Sequence, residues 1–79
     1  MIRFPVDSKF VVSVGYDPSA ETLEVELKEK ADSRRTVVYE YYKVPARVFD
    51  ALMSPSTKSK GAYFQSDVKG VYTEKKISR

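Results

Sequence analysis

The sequence contains neither cysteine nor histidine, and each absence removes a class of chemistry. Without cysteine there are no disulfides and no thiolate metal ligands. Without histidine the chain lacks the usual general base near neutral pH and the commonest metal ligand. No apolar run approaches the roughly 18 residues that span a bilayer, and the charged N-terminal segment is unlike a secretory signal. We therefore expect a cytoplasmic protein that is not an enzyme and has no cofactor, metal or membrane partner.

The composition favours one folded domain. The chain has 79 residues, of which 42% are hydrophobic and 13% aromatic, well above the values typical of a disordered chain. Large aromatic side chains bury much apolar area in a short sequence. We expect a single domain over residues 1–79, with a core of about 8–72 and a basic tail at 73–79.

Three segments alternate apolar and polar residues with the period of a β-strand: 9–16, 21–29 and 36–42. The clearest alternation is that of Leu23, Val25 and Leu27 with glutamates. Asp17 and Pro18 occupy positions that suit a turn between the first two segments. Because this connection is short, it predicts an antiparallel hairpin in which alternate residues point into the core.

A helix is predicted after the third segment, since Pro45 suits a first helical turn and apolar residues recur at helical spacing up to Met53. Residues 56–67 are ambiguous; Ser56 is a candidate N-cap for a second short helix. Residues 71–73 suit a final edge strand. The predicted fold class is α+β: a three- or four-stranded antiparallel meander sheet, covered on one face by one or two short helices.

An ordered series of short motifs resembles the KTSC domain, a module named for its presence at the C-terminus of some lysyl-tRNA synthetases and also found as stand-alone bacterial or phage proteins. The motifs are VGYD at 14–17, LEVEL at 23–27, YEYYKVP at 39–45, SKGAYF at 59–64 and Gly70-x-Tyr72. The resemblance covers roughly residues 8–72 and implies a domain that folds alone and binds a partner. Its synthetase context implies RNA as that partner.

Positive charge is concentrated in the second half of the chain. Residues 1–39 carry 6 basic and 7 acidic side chains, whereas residues 40–79 carry 8 basic and 4 acidic ones. This asymmetry is compatible with nucleic-acid binding. The candidate phosphate ligands are Lys58, Lys60, Lys69 and Lys75. The alternative for these lysines is an ordinary solvated surface.

Two tyrosines are candidate platforms for stacking on unpaired bases. Tyr42 is predicted to lie on the sheet face opposite Tyr39 and Tyr41, which we expect to be buried. Tyr63 follows the basic stretch at 58–61. The alternative for Tyr63 is that it closes one end of the core.

Glu24, Glu26 and Glu40 are expected to lie near one another on neighbouring strands. Such a cluster suits a divalent cation or acid–base chemistry. The alternative, which the alternation favours, is the solvated face of a hairpin, with Lys28 and Arg35 as cross-strand partners.

The sequence thus favours a non-enzymatic binding module for RNA or other single-stranded nucleic acid. The alternative is a protein-interaction or assembly module, including a homo-oligomer, that adds a partner strand at a sheet edge. The predicted edges are the second strand, at 21–29, and the segment at 71–73.

Overall fold

Five strands and two helices make up the part of the chain that the computed structural model describes, residues 1–29 and 34–78. In chain order they are β1 (Phe4–Pro5), β2 (Val11–Asp17), β3 (Thr22–Lys28), β4 (Thr36–Tyr41), α1 (Ala46–Met53), α2 (Lys60–Asp67) and β5 (Glu74–Ser78). The connection between the predicted strand segments 21–29 and 36–42 falls largely outside the described residues, as does the last residue of the predicted tail.

The strands form one antiparallel meander in the order β1-β2-β3-β4-β5. The predicted α+β class is confirmed, with five strands rather than three or four. The additional strand at each end comes from a segment predicted as lead-in or tail. Residues 71–73 are not a strand; β5 begins at Glu74 and pairs with β4. The prediction that the 21–29 strand is an edge is also wrong, because β3 lies at the centre of the sheet.

One sheet face carries the core, as the alternation on β3 predicts. Leu23, Val25 and Leu27 are buried, and they pair in register with Tyr41, Tyr39 and Val37 of β4. The buried core cluster consists of Val11, Val14, Leu23, Val25, Leu27, Val37, Tyr41, Val44, Val48, Leu52, Phe64 and Val68.

A register shift in β2 changes the predicted inward set of that strand. Val11 pairs with Leu27 but Ser13 pairs with Glu26, so Val12 is the additional residue of a bulge. Consequently Val11 and Val14 both enter the core, although uninterrupted alternation would place them on opposite faces.

Both helices cover the core face, which is how a single sheet of this kind buries its apolar side. Val48 and Leu52 of α1 and Phe64 of α2 are buried against the strands. The ring of Phe64 meets Tyr41 edge-on at a centroid distance of 5.6 Å. The N-cap of α2 is Ser59, whose hydroxyl accepts a hydrogen bond from the Ala62 amide, and not Ser56 as predicted. Within the described residues, neither helix has the length and apolar character needed to cross a bilayer.

Candidate nucleic-acid interface

Two adjoining grooves lie at the end of the sheet where β2 begins, β3 ends and β4 begins. They share Phe10 and Lys28. The helix groove, about 720 Å³, lies between the segment around Phe10 and the start of α2. The sheet groove, about 360 Å³, lies over the ends of β3 and β4. Their shared wall makes them one continuous concave surface.

Lysines dominate both grooves. The helix groove is lined by Lys9, Lys28, Lys58 and Lys60, and the sheet groove by Lys28, Lys69 and Lys76. The carboxylates among the lining residues are Asp7 and Glu29. The six lysines and two carboxylates together carry a formal charge of +4 (six minus two). This exceeds the formal net charge of the whole chain, which is +3. The excess positive charge of the protein is therefore located at this end of the fold.

Lys60 lines the helix groove, but its ammonium group is already engaged. Its Nζ donates hydrogen bonds to the carbonyl oxygens of Leu52, at 2.8 Å, and Ser54, at 3.3 Å. These carbonyls belong to the C-terminal end of α1, where a helix leaves acceptors unpaired and a positive charge is favourable. Lys60 thus joins the two helices, whereas the neighbouring Lys58 is exposed.

Lys75 and Lys76 point to opposite faces of β5. Lys76 pairs in register with Tyr39, a residue of the core face, and lines the sheet groove. Lys75 pairs in register with Glu40 on the other face. Of the four predicted phosphate ligands, the structure therefore brings Lys58, Lys60 and Lys69 to the grooves and places Lys75 away from them.

The two predicted stacking residues lie apart from the grooves. Tyr42 lies on the face that the helices leave uncovered, where its hydroxyl donates a 2.9 Å hydrogen bond to Oε1 of Glu40, and this bond raises the pKa of Tyr42. Tyr63 is half-buried against the core, and its burial raises its pKa. Neither lines the two grooves, whose aromatic residues are Phe10 and Tyr39.

Lys9, Lys28, Lys76 and Phe10 were not predicted as site residues. Lys28 ends a strand whose other charged residues are glutamates, and Lys76 lies in the segment predicted as a basic tail. Phe10 packs against the core, with its ring 6.2 Å from that of Phe64. Lys76 is identified as a site residue by its register pairing with Tyr39. That pairing is known only when β5 has been paired with β4, which the sequence alone does not show.

Each of the three predicted cluster carboxylates has its own partner on the uncovered face. Glu24 forms an ion pair with Arg3, and the hydroxyl of Tyr42 binds Glu40. Glu26 accepts hydrogen bonds at 2.8 Å from the hydroxyls of Ser13 and Thr36. None of these partners is the predicted Lys28. Among the described residues, no group of acidic side chains is arranged to hold a metal ion.

The hydrogen bonds to Glu26 predict an acid-dependent loss of stability. The bonds from Thr36 and then Ser13 lower the pKa of Glu26 below its ordinary value. A carboxyl whose folded-state pKa is lowered stabilises the fold above its unfolded-state pKa, and this contribution disappears as pH falls through the folded-state pKa. We expect Thr36→Val to lower the free energy of unfolding by about 1 kcal/mol at pH 7 and by much less near pH 3. Urea unfolding at both pH values measures this difference.

Thr57→Val is the matched control for that experiment. The Thr57 hydroxyl donates to the carbonyl oxygen of Ala51, a group that does not titrate. The loss in free energy of unfolding caused by Thr57→Val is therefore expected to be the same at both pH values. An equal deficit of Thr36→Val at the two pH values would contradict the assigned role of Glu26.

Comparisons with known proteins agree on one family. The family model of the KTSC domain matches residues 7–72. The lysine–tRNA ligase of Nostoc sp. (strain PCC 7120 / SAG 25.82 / UTEX 2576) is 31% identical over 81 residues, an alignment that covers 99% of this chain and 13% of the ligase. The crystal structure of a KTSC domain protein from Yersinia pestis superimposes with a TM-score of 0.82 at 35% identity, covering 98% of this chain and 97% of that one. The chain therefore belongs to the KTSC domain family.

Proposed function

We propose that this KTSC domain is a non-enzymatic module that binds nucleic acid, with RNA as the first ligand to test, through the helix groove and the sheet groove. The observation that carries the proposal is the convergence of six lysines on these two adjoining grooves. Clustered lysines neutralise backbone phosphates and release the counterions condensed on the strand. A similar sequence forms part of a lysine–tRNA ligase, whose name gives tRNA as a reactant. That context supports RNA over DNA.

The proposal assigns separate roles to the lysines. Lys58, Lys69 and Lys76 are exposed, so their ammonium groups are available to phosphates on either side of Lys28. Lys60 keeps its contacts with the end of α1 and acts by positioning the start of α2 beside the groove. Contacts of this kind bind all sequences and carry little base discrimination.

Salt dependence tests this function directly. We expect a labelled single-stranded RNA to bind at 50 mM salt and to lose affinity roughly 50-fold at 200 mM salt if about four phosphates are contacted. Fluorescence anisotropy at several salt concentrations gives the slope. Absence of binding at 50 mM salt would overturn the proposal.

Two adjacent lysines provide a matched pair of variants that locates the site. Lys76→Gln removes one groove contact, so we expect roughly 5- to 10-fold weaker binding at 50 mM salt and a salt slope smaller by about 0.7. Lys75→Gln removes the same charge from the opposite face of β5 and should change affinity by less than about 2-fold. Equal losses in the two variants would contradict the assignment to the grooves.

A protein-interaction module is the second candidate, and the β1 edge is the observation that favours it. Met1, Ile2 and Phe4 are 54%, 76% and 51% exposed, and exposed apolar residues that adjoin one another often mark an interface. Against strand addition, β1 has two residues and one is proline, and β5 is rich in lysine. A concentration-dependent dimer in light scattering, together with no RNA binding at low salt, would favour this second candidate.

A further inference from the structure

The two grooves differ in their floors, and the difference bears on which part of a nucleic acid each one contacts. The sheet groove has an apolar floor made of Phe10, Leu27, Val37 and Tyr39. Leu27 and Val37 are 5% and 9% exposed, whereas Phe10 and Tyr39 are half-buried. The helix groove shares Phe10 but is otherwise lined by lysines and by small or polar residues such as Ser59 and Gly61.

The apolar floor exists because the helices cover only part of the core face. Phe64 of α2 packs on Tyr41, near the opposite end of β4 from Val37. Tyr39 lies between these two positions, with its ring 6.3 Å from that of Tyr41. The Tyr39 ring therefore has the buried Tyr41 on one side and lines the sheet groove on the other.

We propose that the sheet groove holds one unpaired base of a bound single strand, packed against Tyr39 and Phe10, with the flanking phosphates at Lys69 and Lys76. The inference rests on the proposed function. Bases in a duplex are paired and stacked within the helix, so an apolar floor in a recess of about 360 Å³ is within reach only of a base that has left a stack. Aromatic side chains bind such bases with little dependence on sequence, since every base has a π-face.

The cationic rim around this floor fits the same ligand. Lys69 follows α2 and Lys76 lies on β5, so two separate elements place a positive charge beside the floor. A free nucleotide and an unpaired base in a strand share the chemistry of a base beside a phosphate. We assign the strand, because the lysines continue past Phe10 into the helix groove, where Lys9 and Lys58 are available to further phosphates.

The test compares an RNA oligomer of about ten adenylates with an abasic ribose-phosphate oligomer of the same length, both at 50 mM salt. We expect the oligomer that carries bases to bind at least roughly 5-fold more tightly, from stacking of one base. Equal affinities would overturn the inference and leave the proposed function intact. Failure of both oligomers to bind would instead overturn the proposed function. An RNA duplex that binds more tightly than the base-carrying single strand would also overturn the inference.

Two tyrosines on the same stretch of chain provide the variants. Tyr39→Leu is expected to remove most of the preference for the base-carrying oligomer, and Tyr39→Phe is expected to keep the preference. Tyr42→Leu, on the opposite face of the sheet, should leave both affinities unchanged. Loss of the preference in Tyr42→Leu but not in Tyr39→Leu would overturn the assignment. Because the comparison of the two oligomers uses the natural chain, it stands even if Tyr39→Leu does not fold.

Binding of adenosine monophosphate distinguishes a site for free nucleotides from a site for an unpaired base within a strand. We expect it to bind at least roughly 100-fold more weakly than the base-carrying oligomer, because it makes only the contacts of one nucleotide and forgoes the phosphate contacts in the helix groove. A mononucleotide that binds as tightly as the oligomer would overturn the assignment of the groove to a strand.

Discussion

Phe64→Ala is expected to lower the free energy of unfolding by about 3–5 kcal/mol, the usual loss for a fully buried phenylalanine. Phe64 is 0% exposed and its ring contacts Phe10 and Tyr41, so its removal leaves a cavity between α2 and the sheet. At roughly 0.05–0.15 kcal/mol per residue, the whole domain is stable by only about 4–12 kcal/mol. The loss is therefore a large fraction of the total stability, and circular dichroism during urea unfolding measures it.

Phe4→Ala is the matched control for this loss. Phe4 is the same residue type but is 51% exposed on the edge strand β1, so its truncation should change stability by about 0.5 kcal/mol or less. If Phe64→Ala does not fold, Phe64→Leu, which refills most of the cavity, gives a measurable intermediate loss of roughly 1–2 kcal/mol. Equal stability of Phe4→Ala and Phe64→Ala would contradict the packing of α2 on the sheet.

The central part of the fold could be predicted because its information is local. The alternation of Leu23, Val25 and Leu27 establishes β3 and its buried face without reference to the rest of the chain. The helical spacing of Val48 and Leu52 does the same for α1. In both elements a short window of sequence contains the complete periodic signal.

The two edge strands depend on pairing with residues far along the chain. The β5 segment, EKKIS, has no apolar alternation, and it becomes a strand because β4 offers a row of unpaired backbone groups. The two-residue strand β1 forms for the same reason against β2. The residues around either segment do not indicate which strand it pairs with, so neither segment was predicted to be a strand.

The start of α2 shows how a local signal can point to the wrong residue. Ser56 and Ser59 are both suitable N-caps by residue type. The Ser56 hydroxyl is instead bonded to that of Ser54, at 2.8 Å, in the turn that ends α1. Lys60 closes the same turn by binding the carbonyls of Leu52 and Ser54. The helix consequently begins after Ser59, and the choice depends on tertiary contacts.

The candidate site was predicted in part for a related reason. A count of charges identified the basic half of the chain, and it included Lys58 and Lys69, which line the grooves. The count could not identify Lys28, which is brought to Lys76 by the pairing of three successive strands. Strand parity also decides that Lys76 and not Lys75 shares a face with Tyr39. The residue types in the sequence indicate the chemistry of such a site, whereas the register of the paired strands determines which residues line it.

Arg3→Met is expected to lower the free energy of unfolding by about 1–3 kcal/mol, because it leaves the carboxylate of Glu24 buried without a counter-charge. Nη1 of Arg3 lies 2.5 Å from Oε2 of Glu24, whose side chain is 10% exposed. Glu40 is the register partner of Glu24 on β4, so the loss of Arg3 also leaves two carboxylates facing each other. Methionine retains an apolar stem, which limits the change to the charge and its hydrogen bond.

The N-terminal segment approaches β2 closely at Gly15. A methyl group at Gly15 would lie 2.5 Å from the carbonyl oxygen of Ile2, so the backbone of this segment packs directly on Gly15 and directs Arg3 toward the neighbouring Glu24.

The double variant Arg3→Met/Glu24→Gln is expected to recover part of the loss in stability, since a neutral amide costs less to bury than an unpaired carboxylate. Arg47→Met, on the exposed surface of α1, should change stability by less than about 0.5 kcal/mol. Urea unfolding of the natural chain, Arg3→Met, Glu24→Gln and the double variant measures the coupling between the two side chains. An Arg3→Met loss no larger than that of Arg47→Met would show that the ion pair does not stabilise β1 on the sheet.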